Sequence, residues 1–225
     1  MEIKITGRRK LVSIIIYTAM LIILSAAFFT SDMRFVLAAL VFGGVCIFCS
    51  PVKQRKRKDK IAVILAALFF LLYIFAFPPA ISSQSAFKYP VQRAYIGLYQ
   101  NINEPDEFPD FSEDILSDYK FDYAPSILQG AGHYSVRFTT FPERAAEYAE
   151  QFETISEFII PLSDYGDGFE TEDGYVFVYL DKAFFADCPQ AVIYICQTNQ
   201  NFNHPCTFAL IADTQSGRIQ ISQLG

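Results

Sequence analysis

PVKQRKRKDK, Pro51 to Lys60, holds six basic residues in ten (Lys53, Arg55, Lys56, Arg57, Lys58 and Lys60) between two long apolar runs. Its position decides how the chain is organised. Leu11–Phe29 is nineteen residues without a charge, Phe35–Ser50 is sixteen and Ile61–Phe77 is seventeen. A helix crosses the ~30 Å hydrocarbon core with about 20 mostly apolar residues, and about 17 suffice. A helix in a soluble core would carry one apolar stripe, whereas these runs are apolar on every side. Met33 and Val52 extend the second run, and Pro78-Pro79 stops the third. The expectation is a membrane protein with three N-terminal transmembrane α-helices, at about 11–29, 35–50 and 61–77, in an anchor of residues 1–81.

A lysine and arginine cluster taken alone also fits a nuclear-localisation or nucleic-acid patch. Between two spans it sets orientation, because basic residues hold a short loop on the cytoplasmic side. Lys4, Arg8, Arg9 and Lys10 precede the first span in the same way, and the first inter-span loop, Thr30 to Arg34, is nearly neutral. The expected topology is a multi-pass cell-membrane protein with a cytoplasmic N-terminus and its C-terminal domain outside. Residues 1–27 also fit a signal peptide with Ser25-Ala26-Ala27 as a cleavage site. The second apolar run follows closely, which favours a retained helix, and cleavage would leave the domain on the same side.

Charge is polarised along the chain. Through Ile81 there are 11 basic and 3 acidic residues, which leaves 7 of the 18 basic and 21 of the 24 acidic residues for the remainder. An acidic outer part repels phosphate and argues against a nucleic-acid partner. The partners implied are the lipid bilayer and another membrane or extracytoplasmic protein. No isolated charge interrupts the three runs, which argues against ion or proton transport by this chain alone. Ala39 and Gly43 form a small-xxx-small pair suited to close helix packing. Cys46 and Cys49 have the spacing of a redox pair, but without polar support they read as small apolar residues.

The segment 82–90 reads as a polar linker and 91–225 as an extracytoplasmic α+β domain. Val91, Tyr95, Leu98 and Ile102 recur at helical spacing, and Asn103–Asp114 is an acidic, proline-broken loop. Tyr119, Phe121 and Tyr123 alternate with polar residues, as do Tyr134, Val136 and Phe138. Thr140 and Glu143 form a T-x-x-E capping box around Pro142. From Phe141 to Ile159 one apolar stripe follows, with glutamates on the other faces and Pro161 as the stop. Gly174–Leu180 is apolar on both faces, the pattern of a central strand. Ala191–Thr198, Cys206–Ala212 and Arg218–Leu224 complete the strands, the last two joined by the turn DTQSG. The expected domain is a helix packed on a mostly antiparallel sheet. YAPSILQGAGHYSVRF, Tyr123 to Phe138, resembles a stretch of small membrane-anchored bacterial proteins of unknown function. The resemblance implies an exported domain and no activity.

Few residues promise chemistry. The chain has two histidines, His133 and His204, and none of the nucleophile-elbow, zincin, P-loop or dinucleotide motifs. His204 with Cys196 and Cys206 lacks the usual zinc spacing. Asp164, Asp167, Glu170, Glu172 and Asp173 offer oxygen ligands but not in EF-hand order, so the stretch reads as an acidic loop. No catalytic residue, cofactor or metal ligand is assigned. One covalent site is expected: a disulfide between Cys196 and Cys206, if a hairpin centred near Asn201 sets them opposite each other, Tyr194 opposite Phe208 and Val192 opposite Leu210. Two classes of function remain. The first is a membrane-tethered binding, sensing or partner-interaction domain. The second is an enzyme of the thiol-redox or metal-assisted hydrolytic kind.

Overall fold

The computed structural model describes residues 2–49, 56–97, 114–126, 132–172, 174–199 and 206–225. The chain divides into two compact units, Met1–Pro78 and Pro79–Gly225. The first holds three helices, α1 (Glu2–Thr30), α2 (Met33–Cys49) and α3 (Arg57–Ala76). Within α1 the stretch Val12–Thr30, and the whole of α3, are long and apolar enough to cross a membrane, while α2 is a shorter apolar helix of 17 residues. Helix α2 packs on both neighbours. Ala38 and Ala39 are buried there, and a side-chain carbon added at Gly43 would touch the Met20 methyl at 3.5 Å. Small residues thus let α1 and α2 approach closely.

The helix ends are tied by side chains. Asp32 opens α2, its carboxylate accepting from the Arg34 amide at 2.9 Å and pairing with the Arg34 guanidinium at 2.7 Å. Arg34 in turn donates to the carbonyls of Ile74, at 3.1 Å, and Phe77, satisfying acceptors at the end of α3. Lys60 donates to the Cys49 carbonyl at the end of α2 at 3.3 Å. The 51–55 part of the basic loop lies outside the described residues.

The second unit is built on a seven-stranded antiparallel sheet. Its strands are β1 (Ile81–Ser83), β2 (Ser117–Ala124), β3 (His133–Thr139), β4 (Phe158–Pro161), β7 (Val192–Asn199), β8 (Cys206–Asp213) and β9 (Arg218–Leu224), and β5 (Phe169–Thr171) with β6 (Gly174–Val176) forms a separate hairpin. The spatial order is β1-β2-β3-β9-β8-β7-β4. Alternation along the strands sends Phe121, Val136, Phe138, Leu210, Ile219 and Ile221 to one face, where they meet α4 (Tyr89–Gly97) and α5 (Pro142–Glu153). Ala145, Tyr148 and Phe152 are the buried stripe of α5, and the Phe152 ring lies 5.7 Å from Phe208. The opposite face is apolar only on β4, β7 and β8. There Ile160, Ile193, Ile195, Ala209 and Ile211 pack beneath Val176, Val178, Phe184 and Phe185. The segment that supplies this cover runs from α6 (Leu162–Tyr165) through the small hairpin to Gln190.

Several expectations are corrected. The 82–90 stretch is not a free linker. It begins in edge strand β1 and ends at the buried Tyr89, whose ring stands edge-on to Tyr119 and Phe121 at 6.3 and 5.7 Å. Leu98 and Ile102 lie outside the described residues, as does most of the acidic loop after them. The capping box does not form. Phe141 takes the N-cap position and Pro142 the first turn. Thr140 comes one residue early because its amide is committed to the Gly217 carbonyl at 2.8 Å. Helix α5 stops at Glu153, where the hydroxyls of Thr154 and Ser156 donate back to the carbonyls of Gln151 and Phe152 at 2.7 Å each. Phe158–Pro161 then leaves as a strand on β7. Gly174–Leu180 is not a central strand: its first three residues pair with β5, and the rest crosses the sheet as cover. It is apolar on two sides because Val176 and Val178 face the sheet while Tyr175 and Phe177 stack on each other at 6.3 Å on the exposed side.

The turn between β8 and β9 requires its glycine. Gly217 has φ +73°, and a side-chain carbon there would stand 2.0 Å from the Thr140 carbonyl oxygen. Gly166 has φ +59° but open space around it. Gly217→Ala is therefore expected to cost clearly more than the ~1 kcal/mol of a strained backbone alone, and Gly166→Ala about that amount. Thermal melts of the two variants in detergent check this, and equal losses of melting temperature would contradict it.

Candidate functional site

The covered face changes character along the sheet. On β2, β3 and β9 the inward positions are Lys120 and Asp122, then His133, Ser135 and Arg137, then Arg218, Gln220 and Ser222. A polar half-face cannot be closed by an apolar layer without stranding its hydrogen-bonding groups. The covering segment, a strap running from Phe177 to Gln190, meets it instead with its own polar groups. Gln220 is fully buried; its amide donates to the Tyr179 carbonyl at 2.8 Å and to Ser135 Oγ at 3.1 Å, and its Oε1 accepts from the Asp181 amide at 3.0 Å. The His133 ring stacks on Tyr179 at 3.8 Å, 8° from parallel. Asp181 pairs with Arg137 at 3.0 Å and approaches Lys120 at 4.0 Å, while Lys120 pairs with Asp122 at 2.6 Å.

Beyond Asp181 the strap turns back and leaves a cleft of about 400 Å³, lined by Asp118, Arg137, Asp181, Ala183, Phe184, Asp187 and Arg218. The Phe184 ring has the Arg137 guanidinium 4.7 Å away and that of Arg218 5.5 Å away. Arg218 grips the strap: it donates to the Phe184 carbonyl at 2.8 Å, to both oxygens of Asp187, and to Cys188 Sγ at 3.3 Å. This bidentate pairing holds the Asp187 carboxyl below its ordinary range. Asp118 sits on an irregularity in the β2–β3 ladder with φ +57°. Its carboxylate accepts from the hydroxyls of Ser117 at 2.6 Å and Thr139 at 2.9 Å. Those bonds, with Arg218 and Arg137 nearby, hold its carboxyl below the usual carboxylate value.

The sequence pattern singles out none of the residues that line the cleft. The signal available was the pair of arginines at inward positions of two adjacent strands. What cannot be read is the path of the strap: Gly174–Leu180 has the look of a sheet strand, and Asp181–Gln190 has no strand or helix period.

The residues that the sequence singles out for a bridge or a metal lie elsewhere. Cys206 opposes Asn199, Phe208 opposes Gln197 and Leu210 opposes Tyr194, while Cys196 falls on a bulge between Ile195 and Gln197. The register differs by two from the expected one at Tyr194 and Val192. A two-residue shift keeps every side chain on its face, so alternation cannot choose between the registers. Cys196 and Cys206, expected to oppose each other, are thus not an opposed pair in the ladder. Cys196 Sγ lies 3.6 Å from Ser156 Oγ, and the Cys206 side chain and His204 lie outside the described residues. Cys188 is buried between Arg218 and Ser216, and burial pushes its thiol up. In the acidic loop, Asp167 pairs with Lys182 at 2.6 Å and Asp164 accepts from Ser163. Among the described residues no three His, Cys, Asp or Glu side chains converge as a metal site. Cys46 and Cys49 both lie on α2 without a bridge.

Comparison with protein-family models, with curated proteins and with solved structures finds no match to this chain.

His133 gives the strap a pH dependence. Burial lowers its pKa from the ordinary 6.5, against the opposing pull of Asp122 and with a smaller push from Lys120. The folded chain therefore resists protonation that the unfolded chain accepts, so stability falls as pH drops through the ordinary histidine value and below it. His133→Phe keeps a ring on Tyr179 but no titration. Melting temperature is expected to fall more in the parent chain than in the variant from about pH 7.5 to about pH 5.5. Parallel curves would contradict the assignment.

Proposed function

We propose that this is a membrane-anchored ligand-binding protein: α1, α2 and α3 span the bilayer, the N-terminus is cytoplasmic, and the sheet domain presents its cleft outside. The observation that carries the binding reading is the open cleft of about 400 Å³ with ionised groups of both signs around one aromatic ring. Its size falls in the range of small-molecule sites, and a few placed polar groups beside an apolar surface are what such sites use. The anchor reading is supported by two helices of sufficient length and apolarity and by the pairing of α2 with both. At 1.5 Å per residue, the 17 residues of α2 reach about 25 Å, short of the ~30 Å core, a mismatch that local thinning or flanking residues accommodate. Orientation follows from Lys53 to Lys60 and the basic N-terminal tail.

One design tests both halves. In intact cells a membrane-impermeant thiol reagent should label Ala183→Cys above the parent level and leave Gln54→Cys at that level; the reverse pattern would overturn the orientation. Native mass spectrometry of the purified full chain should show a small-molecule adduct that Ala183→Trp, which fills the exposed mouth of the cleft, removes. An adduct that survives Ala183→Trp would place binding elsewhere.

A further inference from the structure

The positive charge of the anchor unit is gathered at one end of its helices. Helices α1 and α2 run antiparallel: Gly43 meets Met20, and the two are equally far from the turn between the helices, ten residues past Met33 and ten before Thr30. The start of α1, with Lys4, Arg8, Arg9 and Lys10 in its sequence, therefore lies at the same end as Cys49, the last residue of α2. The first turn of α3 joins them, because Lys60 donates to the Cys49 carbonyl at 3.3 Å.

Lys60 is committed by that bond, and the three basic residues before it are not. Lys56, Arg57 and Lys58 are exposed, and none of their side chains has an acceptor among the described residues. Asp59, exposed in the same turn, is its one acid. Three uncommitted cations against one carboxylate make a positive patch that attracts phosphate.

Depth decides which phosphate. The apolar part of α3 starts at Ile61, and Arg57 lies four residues earlier, about 6 Å along the helix. The headgroup layer adds about 5–7 Å to the hydrocarbon core on each side, so Arg57 falls within it. The 17 residues of α2 reach about 25 Å, less than the ~30 Å core, and a short helix draws the headgroups inward beside it. A lipid phosphate is held at this level by its own acyl chains, whereas a free phosphate must be captured from bulk water. Charge then selects among lipids: a zwitterionic headgroup brings its own cation to the patch, and an anionic one brings the phosphate charge uncompensated.

We propose that this end of the anchor is a binding site for anionic phospholipid headgroups, their phosphates held by Lys56, Arg57 and Lys58. The assignment rests on the reading that the helices span a bilayer.

The test is native mass spectrometry of the purified full chain in detergent, titrated with phosphatidylglycerol and with phosphatidylcholine of identical acyl chains. The ratio of the two apparent affinities then reports the headgroup alone. The parent chain should favour phosphatidylglycerol about tenfold or more. Lys56→Gln, Arg57→Gln and Lys58→Gln together should cut that ratio about tenfold at an unchanged melting temperature, because each basic residue near the surface contributes about fivefold. Asp59→Asn, which removes the repelling carboxylate, should raise the ratio about twofold or more. Inorganic phosphate equimolar with the lipid should leave bound phosphatidylglycerol in place. Equal affinities for the two lipids, an unchanged ratio in the triple variant, no rise in Asp59→Asn, or displacement by equimolar phosphate would each overturn the assignment and leave the anchor standing. A parent chain that does not enter bilayer nanodiscs would overturn the anchor and the assignment together.

Discussion

One buried amide, Gln220, holds the two layers of the outer unit together where hydrophobic contact cannot. The sheet's covered face is apolar on β4, β7 and β8 and polar on β2, β3 and β9, and Gln220 stands on that border. Its three hydrogen bonds reach Ser135 on the neighbouring strand and the backbone of the strap at Tyr179 and Asp181. A glutamine is one of the few side chains that donates and accepts at once, so it can satisfy a carbonyl and an amide on the same covering segment. Removing it would leave those partly buried backbone groups unpaired, at a cost of up to about 1–3 kcal/mol each. From that fixed point the chain is delivered to Arg137 and Arg218, and the cleft is the space left as it turns back.

The strap is thus anchored at both of its ends. Toward its start, Val178 packs with Ile193, Ile195 and Ile211, and its amide donates to the buried Tyr165 hydroxyl at 2.6 Å. Toward its end, Phe184, Phe185 and Cys188 are buried in the same core, and Arg218 binds the Phe184 carbonyl and Asp187, whose side chain is 74% exposed. Exposed ion pairs contribute little, about 0–1 kcal/mol. Apolar burial therefore fixes both ends of the strap, and the exposed ion pair adds little to it.

Much of the fold was legible because alternation and helical spacing report burial directly. Strands β2, β3, β8 and β9 fall within a residue or two of their expected bounds, and the stripe Ala145–Tyr148–Phe152 is the buried face of α5. The failures share a cause: each was decided by a partner distant in sequence. Thr140 was lost to the helix cap because its amide serves Gly217, and the β7–β8 register was lost because two registers bury the same faces. Gly174–Leu180 has the composition of a central strand, yet most of it lies across the sheet as cover. The site was the least legible part. Arg137 and Arg218 could be placed on inward positions from the pattern alone, but Asp181, Phe184 and Asp187 come to them along a segment with no period.

The strap is a fixed layer of the fold, pinned through Gln220, and not a loose surface loop. Hydrogen exchange on the full chain in detergent addresses it most directly, because the Asp181 amide donates to the Gln220 side chain and the Val178 amide to Tyr165. Protection of both amides comparable to that of the sheet strands is the expected result. Exchange of the Val178–Asp181 amides at the rate of an exposed loop would contradict it, and with it the cleft that the strap forms.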